Sequence, residues 1–325
     1  MAKYDPNPST TPLFSIIIAA YNDWGPLDRC LQSLAQQSKA PSFEAIVVDD
    51  GSGQAAPESI RRWGGHYPLT IFEQSHTGVS AARNQGIQIS KGAILLCVDA
   101  DCKLQPDCLA NLDAAIAESV RHDCFQLHLV GNCTGLVGRA EHLRLETLQN
   151  HMLQANGCIR YLNTAGFAIR RTRVDVVAGL FEPVALRAED TLLLANLIQD
   201  DELPLFVDGA VVQHAIPLSL AGYIRKAIRS AYLEARTYNI IAAKSVKIRV
   251  SNRERLNMLR SMWRISRQPA IGRSAWIVLV IKQAIQRTSS LVYRFSLLPS
   301  PRPLQQVIPE HPMPLKAEDH RIVPR

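Results

Sequence analysis

The sequence GAILLCVDAD, residues 92–101, is an unbroken apolar run that ends in two carboxylates. A run without alternation of polar and apolar residues predicts a strand buried on both faces, which in α/β proteins is a central parallel strand. Open α/β sheets bind ligands at the carboxyl ends of such strands. Side chains two positions apart on an extended segment point the same way, so Asp99 and Asp101 can converge on one hard cation or on a cation and a ligand hydroxyl. The alternative interpretation of the two acids is a solvated turn after the strand.

The composition predicts a globular chain with an uneven charge distribution. The chain has 325 residues, of which 47% are hydrophobic and 20% are charged, as in ordinary soluble domains. Its net charge is +7, and between Ala221 and Pro303 seventeen Lys and Arg stand against only two acids, Glu234 and Glu254. This asymmetry predicts an acidic catalytic body joined to a basic appendage.

The cysteines and the chain ends predict a cytoplasmic protein. The seven cysteines form no C-x-x-C pair, which favours reduced structural thiols in a reducing compartment. Residues 1–12 are polar and Pro-rich, so we expect a flexible N-terminus without a secretory signal. The strongly apolar run from Ala275 to Ile281 is far shorter than the roughly 20 residues that a spanning helix needs.

Strands and helices alternate in the first part of the chain. Apolar runs predict strands at 13–20, 43–48 and 69–72, and helical spacing predicts helices at 27–34, 56–63 and 79–89. This alternation predicts βαβ units with a parallel sheet. The second strand ends in Asp49 and Asp50, so two strand ends bring paired acids to one crevice. A G-x-G-x-x-G loop and a P-loop are both missing, which disfavours the dinucleotide fold of the dehydrogenases.

The second half of the chain offers two further candidate sites. Glu189 and Asp190 precede an apolar helical run at 192–198, and acids in a first helical turn can simply stabilise the helix dipole. His214 follows another apolar run, and a structural role is the alternative for a lone histidine. Further segments are a predicted strand at 125–130 and a helical pattern at 140–153.

Four motifs follow one another in the first hundred residues. They are SIIIAAYN at 15–22, VVDDGS at 47–52, GVSAARN at 78–84 and VDAD at 98–101. In this order and spacing they resemble the nucleotide-sugar signatures of glycosyltransferase family 2, whose members have the GT-A fold. The resemblance covers about residues 13–240.

The resemblance implies a fold class and a division into domains. We expect an α/β protein with a GT-A, Rossmann-like, mostly parallel sheet flanked by helices. The GT-A domain would span residues 13–220, with a nucleotide-sugar half at 13–102 and an acceptor half at 103–220. A basic amphipathic helical segment at 221–298 and a Pro-rich tail at 299–325 would follow.

The resemblance also assigns roles in donor binding. It implies that Tyr21 and Asp50 flank the base and ribose, that Arg83 helps to hold the nucleotide, and that Asp99 faces the ribose and sugar. Ala19 belongs to the same nucleotide-sugar site and stands where the family often has proline.

The metal and the catalytic base are likewise implied by the resemblance. Asp101 would ligate Mn²⁺ or Mg²⁺ bound to the diphosphate, and His214 would add a further metal contact. Asp190 would be the catalytic base, with Glu189 as the other member of the acid pair. The short segment at 166–171 looks like the strand that family members have beside the reaction centre.

The implied reaction is the inverting transfer of one sugar from a nucleotide-diphosphate sugar, a UDP-sugar by preference, to an acceptor hydroxyl. The acceptor would be a sugar, glycolipid or polysaccharide in cell-surface assembly. The Q-x-x-R-W motif of the processive synthases is missing, which predicts one addition per encounter.

The basic segment leaves two interpretations open. Apolar residues recur at helical spacing within 223–238 and 263–292, with Arg and Lys between them. A basic amphipathic helix with tryptophan is typical of adsorption to an anionic membrane surface, here the cytoplasmic face. A helical subdomain with a solvated basic face is the alternative. The Pro-rich composition of residues 299–325 predicts disorder.

Two rival functions fit parts of the sequence. A nucleotidyltransferase also uses a Rossmann-like sheet and a metal, but it usually opens with a Gly-rich phosphate loop, which residues 19–22 are not. A non-catalytic binder of anionic lipid or nucleic acid would use the basic segment, but it would not explain acids at two strand ends. No specific nucleic acid is therefore expected as a partner.

Overall fold

The computed structural model describes residues 11–182, 188–214, 219–244 and 250–296. The predicted Pro-rich tail lies outside these residues, as does nearly all of the predicted N-terminal segment. The strands are β1 Phe14–Ala20, β2 Phe43–Asp49, β3 Leu69–Glu73, β4 Ile94–Asp99, β5 Cys102–Leu104, β6 Cys124–Gly131, β7 Phe167–Arg170 and β8 Leu205–His214.

The helices flank one mixed sheet. They are α1 Trp24–Ala35, α2 Glu58–Arg61, α3 Val79–Ile89, α4 Cys108–Glu118, α5 Gly135–Met152, α6 Glu189–Gln199, α7 Leu220–Ala243, α8 Asn252–Ile265 and α9 Arg273–Ser296. The described strands lie in the order β3-β2-β1-β4-β7-β6-β8-β5. The first four are mutually parallel, β7 runs antiparallel between β4 and β6, β8 is parallel to β6, and β5 is antiparallel to β8. The predicted α/β class with a mostly parallel sheet is confirmed.

Strand β1 is buried on both faces, as its unbroken apolar run predicts. Ile16 and Ile18 belong to a core cluster that includes residues of α1 and α4. Ile17 packs on the other face, in a cluster with residues of α6. Helix α3 lies so close to this face that a Cβ on Gly86 would meet the Ile17 Cγ2 at 2.6 Å, so only glycine fits there.

The register of the sheet brings the predicted polar residues to one edge. Asp49 lies opposite Ala20, and Asp99 lies opposite Ala19, at the carboxyl ends of parallel strands. The short strand β5 then turns back and pairs with β8 so that Cys102 lies opposite His214. This antiparallel pairing brings Asp101, one residue earlier, beside the end of β8.

Several elements differ from the sequence-based expectation. The helix predicted at 56–63 is one turn of α2 followed by a 3₁₀ turn over Arg62–Gly65, because two glycines end the helical pattern. Helix α4 and strand β5 were not predicted. The buried residues of α4, namely Cys108, Leu109, Leu112 and Ile116, do recur at helical spacing and could have revealed it.

The described part of the basic segment folds as α7, α8 and α9 and packs on α5. A third core cluster joins Ala140 and Leu143 of α5 to Tyr223, Met262 and Leu279 of these helices. The block at 263–292 is interrupted between α8 and α9, where Pro269 lacks an amide hydrogen and Gly272 takes a φ of +78°. Within the described residues, no helix is both long enough and apolar enough to cross a bilayer.

Candidate active site

The loops after β1 and β2 are tied together by side-chain hydrogen bonds. Asn22, which has a φ of +57°, accepts a 2.9 Å hydrogen bond from the Gly53 amide, and its own amide donates to the Ser52 Oγ at 2.8 Å. Asp49 accepts from the Ser52 amide at 3.0 Å. The ends of the two strands therefore form one wall of the crevice.

Asp50 shapes the loop that leads into α3. Its buried carboxylate accepts hydrogen bonds of 2.9 Å from the amides of Thr77 and Gly78 and lies 2.8 Å from the His76 Nδ1. Burial raises the Asp50 pKa, but these hydrogen bonds outweigh it and leave the pKa below its ordinary value. The carboxylate faces the loop, so the contact with the base that the resemblance implies for Asp50 stays a prediction. The Tyr21 ring is 47% exposed and stacks on His76 at 4.3 Å, so it presents an open aromatic face.

Arg83 of α3 forms a bridge between the end of β4 and the start of α6. Its guanidinium is only 3% exposed and donates to the Asp99 Oδ1 at 2.7 Å and to the Glu189 Oε1 at 2.8 Å. Burial lowers the Arg83 pKa, but the two carboxylates outweigh it and raise the pKa above its ordinary value. The neighbouring Asn84 accepts from the Phe181 amide and donates to the Phe181 carbonyl, which fixes the backbone of Phe181. Arg83, which the resemblance assigns to nucleotide binding, thus directs both terminal guanidinium nitrogens to protein carboxylates.

Asp101 and His214 form the second charged group of the site. The His214 Nε2 lies 3.2 Å from the Asp101 Oδ1, as the pairing of β5 with β8 requires. Burial raises the Asp101 pKa, but the hydrogen bond and charge of His214 and the charge of Lys226 outweigh it and hold the pKa low. Burial lowers the His214 pKa, but Asp101 raises it by more. Asp99 and Asp101 therefore turn to different partners.

The residues around Asp101 fit a divalent cation. Among the described residues, ligand atoms of Asp101, Cys102 and His214 lie within 4.8 Å of one another. Burial and the nearby acids keep the pKa of the Cys102 thiol well above its ordinary value, so the thiol stays protonated. The remaining donors are a carboxylate and an imidazole, a mixed set that suits Mn²⁺ better than the all-oxygen preference of Mg²⁺.

Asp190 lies in the first turn of α6, beside the Arg83 bridge. Its Oδ1 accepts hydrogen bonds from the Thr191 amide at 2.6 Å and from the Thr191 hydroxyl at 3.2 Å. Burial, together with the charge of Glu189, raises the pKa of Asp190 from 3.8 to about 6. A carboxylate with this pKa is ionised at neutral pH and is a stronger base than an exposed aspartate. Glu189 is held by Arg83 and is less available for proton transfer.

Two further residues of the site, Lys226 and Tyr161, were not found from the sequence. Lys226 of α7 is exposed, contributes positive charge at Asp101 and has no carboxylate partner in the described parts of the chain. Tyr161 accepts a 2.9 Å hydrogen bond from the Asn163 Nδ2. Burial raises the pKa of Tyr161, and the charge of Asp190 adds to this effect. No periodic pattern marks these residues, because their relation to the site depends on the packing of α7 and of the segment before β7.

A buried charge network joins this region to the C-terminal helices. Glu141 of α5 accepts a 2.8 Å hydrogen bond from the Arg144 Nε and a 2.9 Å hydrogen bond from the Tyr223 hydroxyl of α7. Burial raises the Glu141 pKa, but the charge of Arg144 and its hydrogen bond outweigh it and hold the pKa far below its ordinary value. Helix α7 is thus anchored beside the end of β8.

Comparisons with known sequences point to one family. Residues 15–175 match the model of Glycosyl transferase family 2. Glycosyltransferase AglE of Haloferax volcanii is 38% identical over 97 residues, which cover 29% of this chain and 32% of that protein. Validoxylamine A glucosyltransferase of Streptomyces hygroscopicus subsp. limoneus is 31% identical over 153 residues, which cover 45% of this chain and 33% of that protein. The chain thus spans about a third of the length of these relatives.

Solved structures share the fold over most of the chain. The mannosyltransferase PcManGT from Pyrobaculum calidifontis, in complex with GDP-Man and Mn²⁺, matches with a TM-score of 0.62 and 17% identity over 90% of both chains. Residues 1–349 of S. aureus TarS, in complex with UDP, match with a TM-score of 0.51 and 20% identity over 87% of this chain and 90% of that one. The sequence motifs, the matching family model and the shared architecture lead to one assignment: residues 15–175 form a glycosyltransferase family 2 domain, and the described chain has the GT-A fold.

Proposed function

We propose that this protein is an inverting, metal-dependent glycosyltransferase that moves one sugar from a nucleotide-diphosphate sugar to an acceptor hydroxyl. The observation that carries the proposal is the Arg83 bridge. It holds the acid pair of α6 next to the carboxyl end of β4, where open α/β sheets bind ligands. A base of raised pKa and a candidate cation site thereby border one crevice.

The proposed donor is a UDP-sugar. The exposed ring of Tyr21 offers a stacking face for the base, and Ala19 and Asp99 line the strand ends beside it. TarS in complex with UDP and PcManGT in complex with GDP-Man have the same fold, which supports a nucleotide-sugar donor.

Asp101 and His214 would hold the cation, for which we propose Mn²⁺. PcManGT in complex with Mn²⁺ supports a divalent ion. When bound, such an ion neutralises the charge that develops on a departing diphosphate. Lys226 would add a further positive charge beside the proposed cation, since its charge lowers the pKa of Asp101.

Asp190 would act as the general base. Its raised pKa suits it to accept a proton from the acceptor hydroxyl as that oxygen attacks the anomeric carbon. Arg83 keeps Glu189 ionised and fixed, and the charge of Glu189 helps to raise the Asp190 pKa. A single in-line displacement of this kind inverts the anomeric centre.

The proposed acceptor is a hydroxyl of a sugar, glycolipid or polysaccharide, reached from the cytoplasm. Membership of a transferase family disfavours a purely non-catalytic binder. Nucleotidyl transfer to a sugar phosphate remains the enzymatic alternative. It would release pyrophosphate from a nucleoside triphosphate, whereas sugar transfer releases a nucleoside diphosphate.

The test is incubation with a panel of nucleotide sugars and Mn²⁺, with nucleoside diphosphate release as the readout. We expect release from one donor, loss of release in Asp190→Asn, and nearly unchanged donor affinity in that variant. Asp201→Asn is the matched control, because Asp201 is an exposed acid just after α6 with a φ of +57° that asparagine tolerates. Normal turnover in Asp190→Asn together with loss in Glu189→Gln would reverse the roles of the two acids.

A further inference from the structure

Helix α8 exposes a row of arginines. Arg253, Leu256, Arg260 and Arg264 recur every three or four residues, so they share one side of the helix; Arg267 follows in the turn after it, and all five are exposed. We call them the arginine face. Leu256 lies within it and is 49% exposed.

A groove of about 620 Å³ borders the arginine face between α8 and α9. It is lined by Leu259, Arg260, Trp263, Arg264, Arg267 and Trp276. The two tryptophan rings meet edge to face at 5.0 Å, and the Arg273 guanidinium lies over the Trp263 ring at 5.0 Å. The indole N–H of Trp276 is buried and finds no hydrogen-bond partner among the described residues.

The positive charge of this surface has little compensation within the protein. Glu254 is the single acid between residues 250 and 296. Its carboxylate is already used, because it pairs with Arg160 and accepts from the Ser251 amide at 2.6 Å. Arg260, Arg264 and Arg267 form no ion pair with any carboxylate that the structure describes.

Helix α9 adds an exposed apolar stripe beside the groove. Its inner side is taken up by the fold, since Ala275 and Leu279 pack in the cluster with α5. Ile277 and Ile281 lie one turn apart on its outer side and are 50% and 49% exposed. Arg273 precedes Ile277 by one turn on the same side.

We propose that the arginine face, the tryptophan groove, Ile277 and Ile281 form a docking surface for a membrane rich in anionic phospholipid. Guanidinium groups bind phosphate oxygens in a bidentate manner, and tryptophan suits the headgroup level. The isoleucines enter the boundary between headgroups and acyl chains, as in helices that lie in the membrane plane. The inference goes beyond the proposed function.

Other occupants fit this surface less well. A nucleic acid backbone would satisfy the arginines but would leave Ile277 and Ile281 in water. In a two-fold contact a second copy would bring the arginine face against a like-charged patch, which costs free energy. A lipid surface satisfies the charged and the apolar parts together.

Vesicle co-sedimentation of the full chain tests the charged part. At 0.1 M NaCl we expect binding to vesicles of phosphatidylcholine with 30% phosphatidylglycerol, little binding to pure phosphatidylcholine, and release at 0.5 M NaCl. The variant Arg260→Glu/Arg264→Glu should bind at least about 25-fold more weakly, because each basic residue near the surface contributes about 5-fold. Lys91→Glu/Arg121→Glu changes the net charge equally at exposed sites elsewhere and should bind within about 3-fold of wild type.

A second pair of variants tests the apolar part and does not depend on how the arginine variant folds. Ile277→Ser/Ile281→Ser should weaken binding by about 10-fold while the salt dependence stays as in wild type. The control is Val120→Ser/Val177→Ser, which changes two valines that are more exposed than these isoleucines. This variant should bind as wild type does.

Several results would overturn the inference. In the vesicle assay they are equal binding to neutral and anionic vesicles, no binding to either, and equal losses in the control variants. Tight binding to a DNA duplex without vesicle binding would also overturn it. So would dimerisation in light scattering that the arginine variant abolishes. The assay needs neither donor nor acceptor, so its failure would leave the proposed sugar transfer standing.

Discussion

Replacing Asp190 with asparagine should make the protein more stable at pH 8 although it removes the proposed catalytic base. The folded environment disfavours the charged form, because burial and the charge of Glu189 raise the pKa of Asp190 from 3.8 to about 6. Asparagine keeps the Oδ1 that accepts from the Thr191 amide and hydroxyl but carries no charge. The substitution therefore removes the unfavourable charge and keeps the hydrogen bonds from Thr191.

The expected size of the effect follows from proton linkage. A carboxyl group whose folded pKa is raised stabilises the fold below its unfolded pKa, and that stability is lost as the pH rises through the folded pKa. Since one pKa unit corresponds to ~1.4 kcal/mol, the ionised Asp190 costs ~3 kcal/mol at pH 8 and ~1 kcal/mol at pH 4.5. The Asp190→Asn variant should regain these amounts in its free energy of unfolding.

Urea unfolding of wild type and variant at pH 8 and pH 4.5 measures the effect directly. Asp201→Asn, at an exposed position, should change the free energy of unfolding at neither pH. Glu189→Gln should act in the opposite direction, because it removes a partner of the buried Arg83 guanidinium. An Asp190→Asn variant that is no more stable than wild type at pH 8, or equally stabilised at both pH values, would refute the raised pKa of Asp190.

Three further predictions concern Arg83, the candidate cation site and the buried Glu141. Arg83→Met leaves two carboxylates without their partner and should lower the free energy of unfolding by about 3 kcal/mol or more, as measured in urea; an unchanged midpoint would show that the bridge is dispensable. Asp101→Ala should abolish Mn²⁺-dependent nucleotide binding in calorimetry while the circular dichroism spectrum stays that of wild type; retained Mn²⁺ dependence would remove Asp101 from the cation site. Tyr223→Phe removes one hydrogen bond to the buried Glu141 and should cost ~1 kcal/mol in thermal unfolding, and no loss would mean that Arg144 alone satisfies this carboxylate.

The strands of the parallel half and their polar ends were predictable from the sequence. A strand covered on both faces must be apolar at every position, so the runs at 13–20 and 92–99 leave no other assignment. The carboxyl ends of parallel strands meet at one edge, which is why Asp49 and Asp99 lie at the same end of the sheet. Local chemistry and sheet geometry suffice for these features.

The C-terminal segment was predicted only in part. Its helical periodicity was correct, but the pattern left open what its apolar residues pack against, because the sequence does not show what covers them. Tyr223, Met262 and Leu279 pack on α5. The arginine face, Ile277 and Ile281 are among the residues that remain outside.

The sequence by itself determined which residues of the site carry charge and at which strand or helix end each one stands. Only the tertiary structure decided their partners. Arg83 reaches Glu189 across 106 residues of chain, and His214 meets Asp101 because β5 turns back along β8. Periodicity reports the neighbours of a residue within its own helix or strand, but pairing across the fold depends on how those elements pack. The raised pKa of Asp190 has the same origin, since burial by surrounding elements removes water from the carboxyl group.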